Sequence, residues 1–493
     1  MKVAFRVDAS ATIGSGHLMR CLALADKLQE HGDVILFVVR AAEQTWQALP
    51  RQYHLAVVTL PESAADWARD AEETRAALAI FGSPDWLVID HYGLGSEWEA
   101  AMRDFCGRIF VIDDIGRHHD CDLLLDQNVL NNPESYRDRV PAHCRRLLGP
   151  GYALLRREFR EARARLRHRD GSVRRVLISF GGSDPTGETE KAIEGFLAAG
   201  LDGVMADVVL GPANPRAAEI KQKFGTHPRV HLIPHTDHMA AEMLGADLAI
   251  SAGGVSMWER ACLGLPSIVI TAADNQMKGA EWLAAQGGHL LLGESAVVAA
   301  QDIAEALCCL AGNSQLRTLF ARTGAALVDG CGSERVAHRL LGGRIILRRV
   351  TTADCDMIYI WRNAEVNRRY SGDERPFHIE AHRQWFACMT ADPSQIMLIG
   401  EADIGPVGVL RFDLDDTEAV VSIYLVPGQH GMGWGEALLD SGAVWLRTHL
   451  PEITTVHARV KSGNQASLAV FGRAGYVEQD RTLILSLHNR NTP

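Results

Sequence analysis

The feature that most constrains the fold of this 493-residue chain is the alternation of short apolar runs with helical patterns. Residues 16–30 predict a helix, and buried strands are predicted at 2–8 (KVAFRVD), 34–39 (VILFVV), 86–90 (WLVID) and 109–113 (IFVID). Strands that alternate with helices in this way form an open parallel sheet. The first 165 residues are therefore predicted to form one Rossmann-like lobe.

The same alternation starts again after residue 165. The runs RRVLISFGGSD, ADVVLG, VHLIP, ADLAISAGG and PSIVI predict a second Rossmann-like lobe over residues 166–342, with a cleft between the two lobes. The charged stretch 156–169 is predicted to be a solvated helical connector. At Gly342 and Gly343 the pattern changes, and residues 343–493 are predicted to form a smaller α+β domain. The predicted fold class is α/β.

Composition and charge restrict the partners of such a chain. A net charge of −11 at pH 7 argues against nucleic acid as the main partner. No apolar stretch reaches the roughly 20 residues that span a bilayer, and the first residues lack a secretory pattern. We expect a cytoplasmic protein that acts on a small molecule and not on a membrane. The ten cysteines include no CxxC pair and are predicted to be reduced core thiols.

A glycine-rich turn precedes the first predicted helix and is followed directly by a histidine. In the run TIGSGHLMR, Gly14 and Gly16 permit a tight turn, and the helix start offers N–H groups to an anion. His17 stands at this helix start, and by itself it is more easily explained by a structural role. Histidine titrates near neutral pH, so it is also a candidate general base.

Three aspartates end predicted strands at the same edge of the first sheet, at positions 8, 90 and 113. Each is a candidate for orienting His17 or holding a ligand, and equally a candidate helix cap or loop brace. We rank Asp90, together with Tyr92, first among them. The clusters at 113–120 and 235–238 contain metal-ligand types, but neither has histidines at i, i+4 spacing, so no metal site is predicted.

Further segments of the second lobe predict a nucleotide site. Glycine turns between a strand and a helix can hold phosphates, and a carboxylate one turn into a helix can accept hydrogen bonds from a ribose. The residues selected in this way are Gly181, Gly182, Ser183, Gly254, Glu259, Asn275 and Gln276.

These segments resemble, in order and wording, the UDP-sugar hydrolases of pseudaminic acid biosynthesis. That family consists of GT-B-fold relatives of the glycosyltransferase that adds N-acetylglucosamine to the lipid-linked peptidoglycan precursor. The resemblance covers residues 1–340 and rests on RVDASATIGSGHLMRCLALA, VIDHYGL, VIDDIGRHHDCDLLLDQN, SFGGSDP and SAGGVSMWERACLGLP. It implies a GT-B-like fold and a UDP-activated amino sugar as substrate. It also implies His17 as the catalytic base, with the glycine turns, Glu259 and the Asn275–Gln276 pair as the UDP site.

The third domain contains a strand, a glycine-studded loop and a helix in the run IYLVPGQHGMGWGEALL. Exposed N–H groups at such a helix start suit a pyrophosphate. The domain resembles the GNAT N-acetyltransferase family, with His430 where that family usually has arginine or glutamine. The resemblance implies acetyl-CoA as co-substrate. The implied cofactor-binding residues are Tyr424, Leu425, Val426, His430, Gly431, Gly433, Gly435 and Asn464.

The acyl-transfer chemistry of this domain is less defined by its sequence. Phe471 stands where many GNAT members carry a general-acid tyrosine, and Tyr476 is the nearest substitute. The runs IWRNAEVNRRYS and HRQWF are similar to the sugar-amine acetyltransferases of the same pathway. This implies an acceptor site that includes Trp361, Arg362, Asn363 and Trp385, although both tryptophans are equally explained as core residues.

The two resemblances together predict a bifunctional enzyme. Its C-terminal domain would acetylate the 4-amino group of a UDP-4-amino-4,6-dideoxy sugar. Its first two lobes would then hydrolyse the UDP-2,4-diacetamido-2,4,6-trideoxy sugar to free sugar and UDP by cleavage of the C1–O bond. The alternatives are a GT-B glycosyltransferase with an attached acetyltransferase-like domain, and a nucleotide-sugar-binding module without turnover.

Overall fold

The computed structural model describes residues 1–8, 16–40, 55–61, 66–128, 134–166, 169, 171–341, 345–370, 375–402, 405–461, 463–479 and 482–486. Contacts divide the chain into two compact units, Met1–Ala337 and His338–Pro493. The predicted boundary between the second and third domains, at 342/343, lies outside the described residues.

The first unit begins with a seven-stranded parallel sheet in the order β3-β2-β1-β4-β5-β6-β7. Its strands are β1 Lys2–Val7, β2 Val34–Val39, β3 Ala56–Thr59, β4 Trp86–Asp90, β5 Arg108–Ile112, β6 Leu123–Asp126 and β7 Arg145–Leu148. The strand order reverses direction between β1 and β4, and ligands of open parallel sheets bind at the carboxyl ends of strands beside such a point.

A second, six-stranded parallel sheet follows in the order β10-β9-β8-β11-β12-β13. Its strands are β8 Arg175–Ser179, β9 Met205–Val209, β10 Val230–Ile233, β11 Leu248–Ala252, β12 Ser267–Thr271 and β13 Leu290–Glu294. Apolar clusters cover both faces of this sheet, as the near-continuous apolar runs of its strands require. Two parallel sheets confirm the predicted pair of Rossmann-like lobes.

Twelve helices accompany the two parallel sheets in the described part of the chain, and the last three follow the final strand, β13. The twelve are α1 Gly16–Glu30, α2 Trp67–Phe81, α3 Ser96–Met102, α4 Arg157–Arg163, α5 Glu188–Ala198, α6 Ala217–Phe224, α7 Met239–Gly245, α8 Ser256–Cys262, α9 Asp274–Ala285, α10 Ala300–Gly312, α11 Ser314–Leu327 and α12 Gly332–Leu340. Short 3₁₀ turns lie at Arg103–Phe105 and Pro150–Tyr152. Among these, α1 has the bounds that the sequence predicted.

The second unit is built on a seven-stranded mixed sheet in the order β14-β15-β16-β17-β18-β20-β19. Its strands are β14 Ile346–Arg349, β15 Gln395–Ala402, β16 Gly405–Asp415, β17 Glu418–Leu425, β18 Thr455–Ala458, β19 Val477–Gln479 and β20 Thr482–Ser486. Only β17 and β18 pair in parallel within the described sheet. Its helices are α13 Cys355–Asn363, α14 Glu365–Arg368, α15 Ile379–Ala391, α16 Trp434–His449 and α17 Gln465–Arg473, with a 3₁₀ turn at Thr352–Asp354.

The predicted solvated connector at 156–169 is wrong in one respect. Of its described residues, only Arg157–Arg163 form a helix, and Phe159 in this helix is fully buried in the core of the second lobe. Arg169 is also buried, where its guanidinium donates to the backbone carbonyls of Met243, Ala246 and Leu263. The charged residues of this stretch therefore surround one apolar face. The seven arginines of the stretch made this face hard to recognise from the sequence.

The cysteines are all free, but they are not all core residues. Four are buried, whereas Cys308, Cys309 and Cys388 are exposed on helices α10 and α15. The prediction of ten core thiols is therefore wrong, because cysteine is small enough to be tolerated on either face of an amphipathic helix. Across the described ranges, no helix combines the length and apolar character needed to cross a membrane.

Candidate active sites

Two strand ends and one helix start form a pocket at the edge of the first sheet. The pocket encloses about 110 Å³. Its lining residues are Asp8, His17, Asp90, His91, Tyr92 and Gly93. Gly16 and His17 open helix α1, whereas Asp90 is the last residue of β4. The predicted partner Gly14 lies outside the described residues.

His17 and Asp90 form a buried pair in this pocket. The Nδ1 atom of His17 lies 2.5 Å from Oδ1 of Asp90, whose side chain is fully buried. The ring of Tyr92 packs edge-on against the His17 ring at a centroid distance of 4.6 Å. Nδ1 also lies 3.0 Å from the Arg20 guanidinium, but the Asp90 carboxylate is the nearer group and can only accept. Nδ1–H therefore donates to Asp90, and the lone pair is on Nε2. Among the described residues, no group hydrogen-bonds to Nε2 of His17.

Arg20 was missed by the sequence analysis, although it lies three residues after His17 on the same helix. Its guanidinium donates to both carboxylate oxygens of Asp90 at 2.6 Å and to Asp114 at 2.9 Å. Burial alone would raise the pKa of Asp90, but Arg20 and His17 lower it well below its usual range. Asp90 is therefore an anion whose charge His17 and Arg20 share.

Tyr92 connects this network to the second lobe. Its hydroxyl donates to Asp114 at 2.8 Å and accepts from the Asn275 side-chain amide at 2.9 Å. Burial and the neighbouring Asp114 raise the pKa of Tyr92, so the phenol stays protonated. The structure thus brings Asn275, predicted for the UDP site, to the pocket that contains His17.

The other two strand-end aspartates have different partners. Asp8 binds Arg6 and lies 3.0 Å from Nε2 of His91. Burial opposes the charge of Asp8, but hydrogen bonds from His91 and Arg6 lower its pKa to about 2. Asp113 accepts from the backbone N–H of Gly116 and from Arg117. Asp113 is therefore a loop brace, the second of its two predicted roles.

The acidic and histidine-rich cluster at 113–120 is a buried ion-pair network. His119 lies 2.6 Å from Glu99 through Nδ1 and 3.5 Å from Asp113 through Nε2. Within the described parts of the chain, no group of three or more histidine, cysteine, aspartate or glutamate side chains is arranged to hold a metal ion.

The first glycine turn of the second lobe lies between β8 and α5. Gly181 has φ +81°, a left-handed conformation that favours glycine. Asp184 caps α5 by accepting from the N–H groups of Glu188 and Thr189 at 2.8 and 2.9 Å. These two amides are therefore used by protein, so a phosphate at this turn has to be held by the Gly181–Ser183 backbone.

The second turn of this lobe, before α8, faces the first lobe. A Cβ atom on Gly16 would lie 3.5 Å from Val255, and one on Gly254 would lie 3.6 Å from Gln276. Glu259 follows on α8, with its carboxylate 3.5 Å from Arg156. Gly254 and Gln276, both predicted for the UDP site, therefore lie side by side.

Arg260 is a second residue that sequence reasoning missed. It is buried and donates to the hydroxyls of Ser251 and Ser256 and to the Ala252 carbonyl. Burial lowers the pKa of Arg260 to about 10. By joining the end of β11 to the start of α8, this arginine shapes the turn that carries Gly254.

In the second unit, strands β17 and β18 separate at the place predicted for the pantetheine arm. Their pairing runs from Glu418 to Val421 on β17 and is not continued to Tyr424 or Leu425. Asn367 of α14 donates to the Leu425 carbonyl at 2.9 Å and lies 3.3 Å from Nε2 of His430. The sequence analysis did not single out Asn367, although its side chain binds the Leu425 carbonyl beside this opening.

Two residues of the predicted coenzyme A loop have a left-handed backbone. Gly431 and Gly433 have φ of +82° and +84°, and Gly433 is the N-cap of α16. Gly435 lies against the neighbouring helix α17, where a Cβ would be 3.2 Å from Val470. Asn464 caps α17 by accepting from Ser467 N–H at 3.0 Å. Its carboxamide oxygen is therefore used within the protein.

Several candidates for proton donation and for acceptor binding are buried or are hydrogen-bonded within the protein. Phe471 and Tyr476 are buried and pack edge to face with ring centroids 4.9 Å apart. Burial raises the pKa of Tyr476, and its ring belongs to the apolar core. Trp361 is also buried in the core, as the structural alternative predicted. Asn363 is tied to the Phe377 backbone at 3.2 Å.

Two family models match the chain. The glycosyltransferase family 28 C-terminal domain matches residues 208–323, and the acetyltransferase (GNAT) domain matches residues 344–477. The latter match supports acetyl-CoA as a co-substrate.

Three relatives have similar sequences. An uncharacterized protein of Methanocaldococcus jannaschii is 23% identical over 97% of this chain and 96% of its own length. The spore coat polysaccharide biosynthesis protein SpsG of Bacillus subtilis is 26% identical over 68% of this chain and 96% of its own. The UDP-2,4-diacetamido-2,4,6-trideoxy-beta-L-altropyranose hydrolase of Campylobacter jejuni is 26% identical over 58% of this chain and 97% of its own.

Among solved structures, Acinetobacter baumannii MurG superposes with a TM-score of 0.50 and 14% identity, over 69% of this chain and 99% of MurG. This likeness shows the fold of the first unit. The chain is therefore a fusion of a GT-B-like unit, homologous to the altropyranose hydrolase and to SpsG, with a C-terminal GNAT domain.

Proposed function

We propose that the protein carries out two consecutive steps on a UDP-activated amino sugar. The GNAT domain acetylates the 4-amino group of a UDP-4-amino-4,6-dideoxy sugar. The GT-B-like unit then hydrolyses the UDP-2,4-diacetamido-2,4,6-trideoxy product to free sugar and UDP. The observation that carries the hydrolytic half is the His17–Asp90 pair at 2.5 Å, within a unit that aligns with 97% of a UDP-sugar hydrolase.

In the hydrolysis step, His17 acts as the general base. Asp90 accepts the Nδ1–H bond, so Nε2 takes a proton from water as the water oxygen attacks C1 of the sugar. The C1–O bond to the diphosphate breaks, its electron pair leaves with UDP, and the oxygen from water stays on the sugar. N–H groups of the glycine turns stabilise the charge that develops on the leaving diphosphate.

His17 is better suited to this role than His91, which lines the same pocket. Nδ1 of His91 accepts from Gly93 N–H at 3.0 Å, and its Nε2 lies 3.0 Å from Asp8. Both nitrogens of His91 are therefore engaged within the protein. In contrast, no described residue bonds to Nε2 of His17, which leaves this nitrogen for the substrate.

Arg20 holds the carboxylate that orients His17 in this scheme. It donates to both oxygens of Asp90, which lowers the pKa of that carboxyl and fixes its position against the His17 ring. The same arginine fixes Asp114, which positions the Tyr92 hydroxyl.

In the acetylation step, the acceptor amine attacks the thioester carbonyl of acetyl-CoA and the thiolate of coenzyme A leaves. The support is the GNAT match, the separation of β17 from β18, and the left-handed Gly431 and Gly433 before α16. The burial of Tyr476 argues against it as the proton donor.

A glycosyltransferase is the second candidate function, because a glycosyltransferase family model matches residues 208–323. Such an enzyme would pass the sugar to an acceptor hydroxyl and would release little UDP without one. Release of UDP and free sugar by the purified full chain, with no acceptor added, favours hydrolysis. Strict dependence of UDP release on an added acceptor contradicts it.

The deciding experiment is mass spectrometry of products formed from UDP-amino sugars with and without acetyl-CoA, in water enriched in ¹⁸O. We expect acetylated nucleotide sugar first and then ¹⁸O in the free sugar. Label on UDP, or release of UMP, would instead identify a diphosphatase. Turnover is also expected to survive a chelator.

A further inference from the structure

Helix α13 and strands β16 and β17 of the C-terminal sheet together contribute two arginines and a tyrosine to one cluster. Tyr424 on β17 is paired with Val409 on β16, and Arg411 is two residues further along β16, so these side chains share a face. Arg362 of α13 and Arg411 both act electrostatically on the Tyr424 hydroxyl. We call Arg362, Arg411 and Tyr424 the two-arginine cluster.

Arg362 differs from the other arginines around it. Its guanidinium stacks on Trp385 at 3.9 Å and lies 5.1 Å from the Phe377 ring centroid. Within the described residues it has no hydrogen bond or carboxylate partner. Arg383, on the neighbouring helix α15, pairs with Asp356 at 2.9 Å. Arg362 is thus held in a fixed plane by aromatic rings, and no described residue uses its N–H donors.

The other two members of the cluster also have unused polar atoms. In the described part of the chain, the buried Tyr424 hydroxyl and the buried Nε of Arg411 have no hydrogen-bond partner. Arg411 donates to Asp413 at 2.8 Å, which neutralises only one of the two guanidinium charges. Buried donors without partners cost folding free energy, so their convergence points to a ligand that supplies acceptor oxygens.

We propose that the two-arginine cluster binds a phosphate group of the acetyl acceptor. Guanidinium groups form paired hydrogen bonds with phosphate oxygens, and stacking on an aromatic ring preorganises the guanidinium for this contact. The proposal rests on the proposed function, in which the acceptor is a nucleotide sugar with a diphosphate. Acetyl-CoA also carries phosphates, and steady-state kinetics can separate these two sources.

The test measures acetyl transfer by coenzyme A release in the full chain, varying UDP-amino sugar and acetyl-CoA separately. For Arg362→Gln and Arg411→Gln we expect the acceptor KM to rise by about 10-fold or more, as loss of a charged hydrogen bond does. The KM for acetyl-CoA should stay within about twofold of the wild-type value. Tyr424→Phe, which keeps the ring packing, should raise the acceptor KM by a smaller factor with little change in kcat.

Arg383→Gln is the matched control, since it removes the same charge from an exposed ion pair on α15. Its acceptor KM should not change. An unchanged acceptor KM in Arg411→Gln and Tyr424→Phe overturns the proposal even if Arg362→Gln does not fold. A rise in the acetyl-CoA KM alone assigns the cluster to coenzyme A and also overturns it. If the wild-type protein acetylates no UDP-amino sugar, the proposed function itself is contradicted. This result is distinguishable from a failure of the cluster proposal, which concerns only the variants.

Discussion

The pocket around His17 and the two-arginine cluster of the GNAT domain differ in how their polar atoms are satisfied. In the pocket, Asp90 has both oxygens bonded to Arg20, and Tyr92 both donates and accepts. In the cluster, Arg362 and the Tyr424 hydroxyl lack such partners among the described residues. A group that moves protons must have its tautomer and charge set by protein, whereas a group that binds an anion must keep its donors available.

The largest expected effect comes from removing the proposed base. His17→Ala should lower UDP release by about 10³-fold, within the range of general-base catalysis, and leave coenzyme A release unchanged. His91→Asn is the control from the same pocket and should cost less than about 10-fold, because both of its nitrogens already bind protein groups. Equal losses in the two variants, or loss of both activities in His17→Ala, would contradict the assignment.

The next largest effect concerns the glycine loop. Gly433→Asp places a side chain and a negative charge at a residue with φ +84°, so we expect acetyl transfer to fall at least about 100-fold. Hydrolysis of pre-acetylated substrate should be retained. Gly405→Asp is the matched control, since Gly405 also has a left-handed φ of +97° but lies at the start of β16. Acetyl transfer that survives in Gly433→Asp would contradict the assignment of this loop to coenzyme A binding.

A smaller and more specific effect is expected for Arg20→Met. Without the guanidinium, Asp90 loses two hydrogen bonds and Asp114 loses one, so the carboxylate that orients His17 is no longer held in place. We expect kcat for UDP release to fall by about 10-fold, with a smaller change in KM, because hydrogen bonds to charged groups contribute about 1.5–3 kcal/mol. Arg20→Lys restores the charge and should recover part of the lost kcat. Full activity in Arg20→Met would show that His17 does not need this support.

The smallest expected effect concerns stability, at the ion-pair network beside the pocket. Burial lowers the pKa of His119, but hydrogen bonds and charges of Asp113 and Glu99 outweigh it and raise the pKa to about 9. A raised pKa stabilises the folded state fully below the unfolded value of about 6.5 and loses that contribution as pH rises through 9. Chemical denaturation should show a loss of about 1–3 kcal/mol between these pH values. His119→Gln should make the free energy of unfolding less dependent on pH in this range. The same pH dependence in wild type and variant would contradict the role of His119.

Much of the architecture was predictable because local pattern and global fold agree. The helix at Gly16–Glu30 and the strand at Trp86–Asp90 were read directly from the spacing of apolar residues. Part of the first site was predictable too, because carboxyl ends of parallel strands and the following helix starts meet at one edge. Arg20 was within reach, since residues three apart on a helix share a face. Asp114 and Asn275 were not linked by any local pattern.

The two parallel sheets, the α+β character of the third domain and the order of the glycine turns follow from local pattern, since they depend on periodicity and on backbone freedom within a few residues. Long-range packing selected Asp90 among three strand-end aspartates to orient His17 and placed Tyr92 against Asp114 and Asn275. The physical reason is that these charge and hydrogen-bond partners come from residues far apart in the chain.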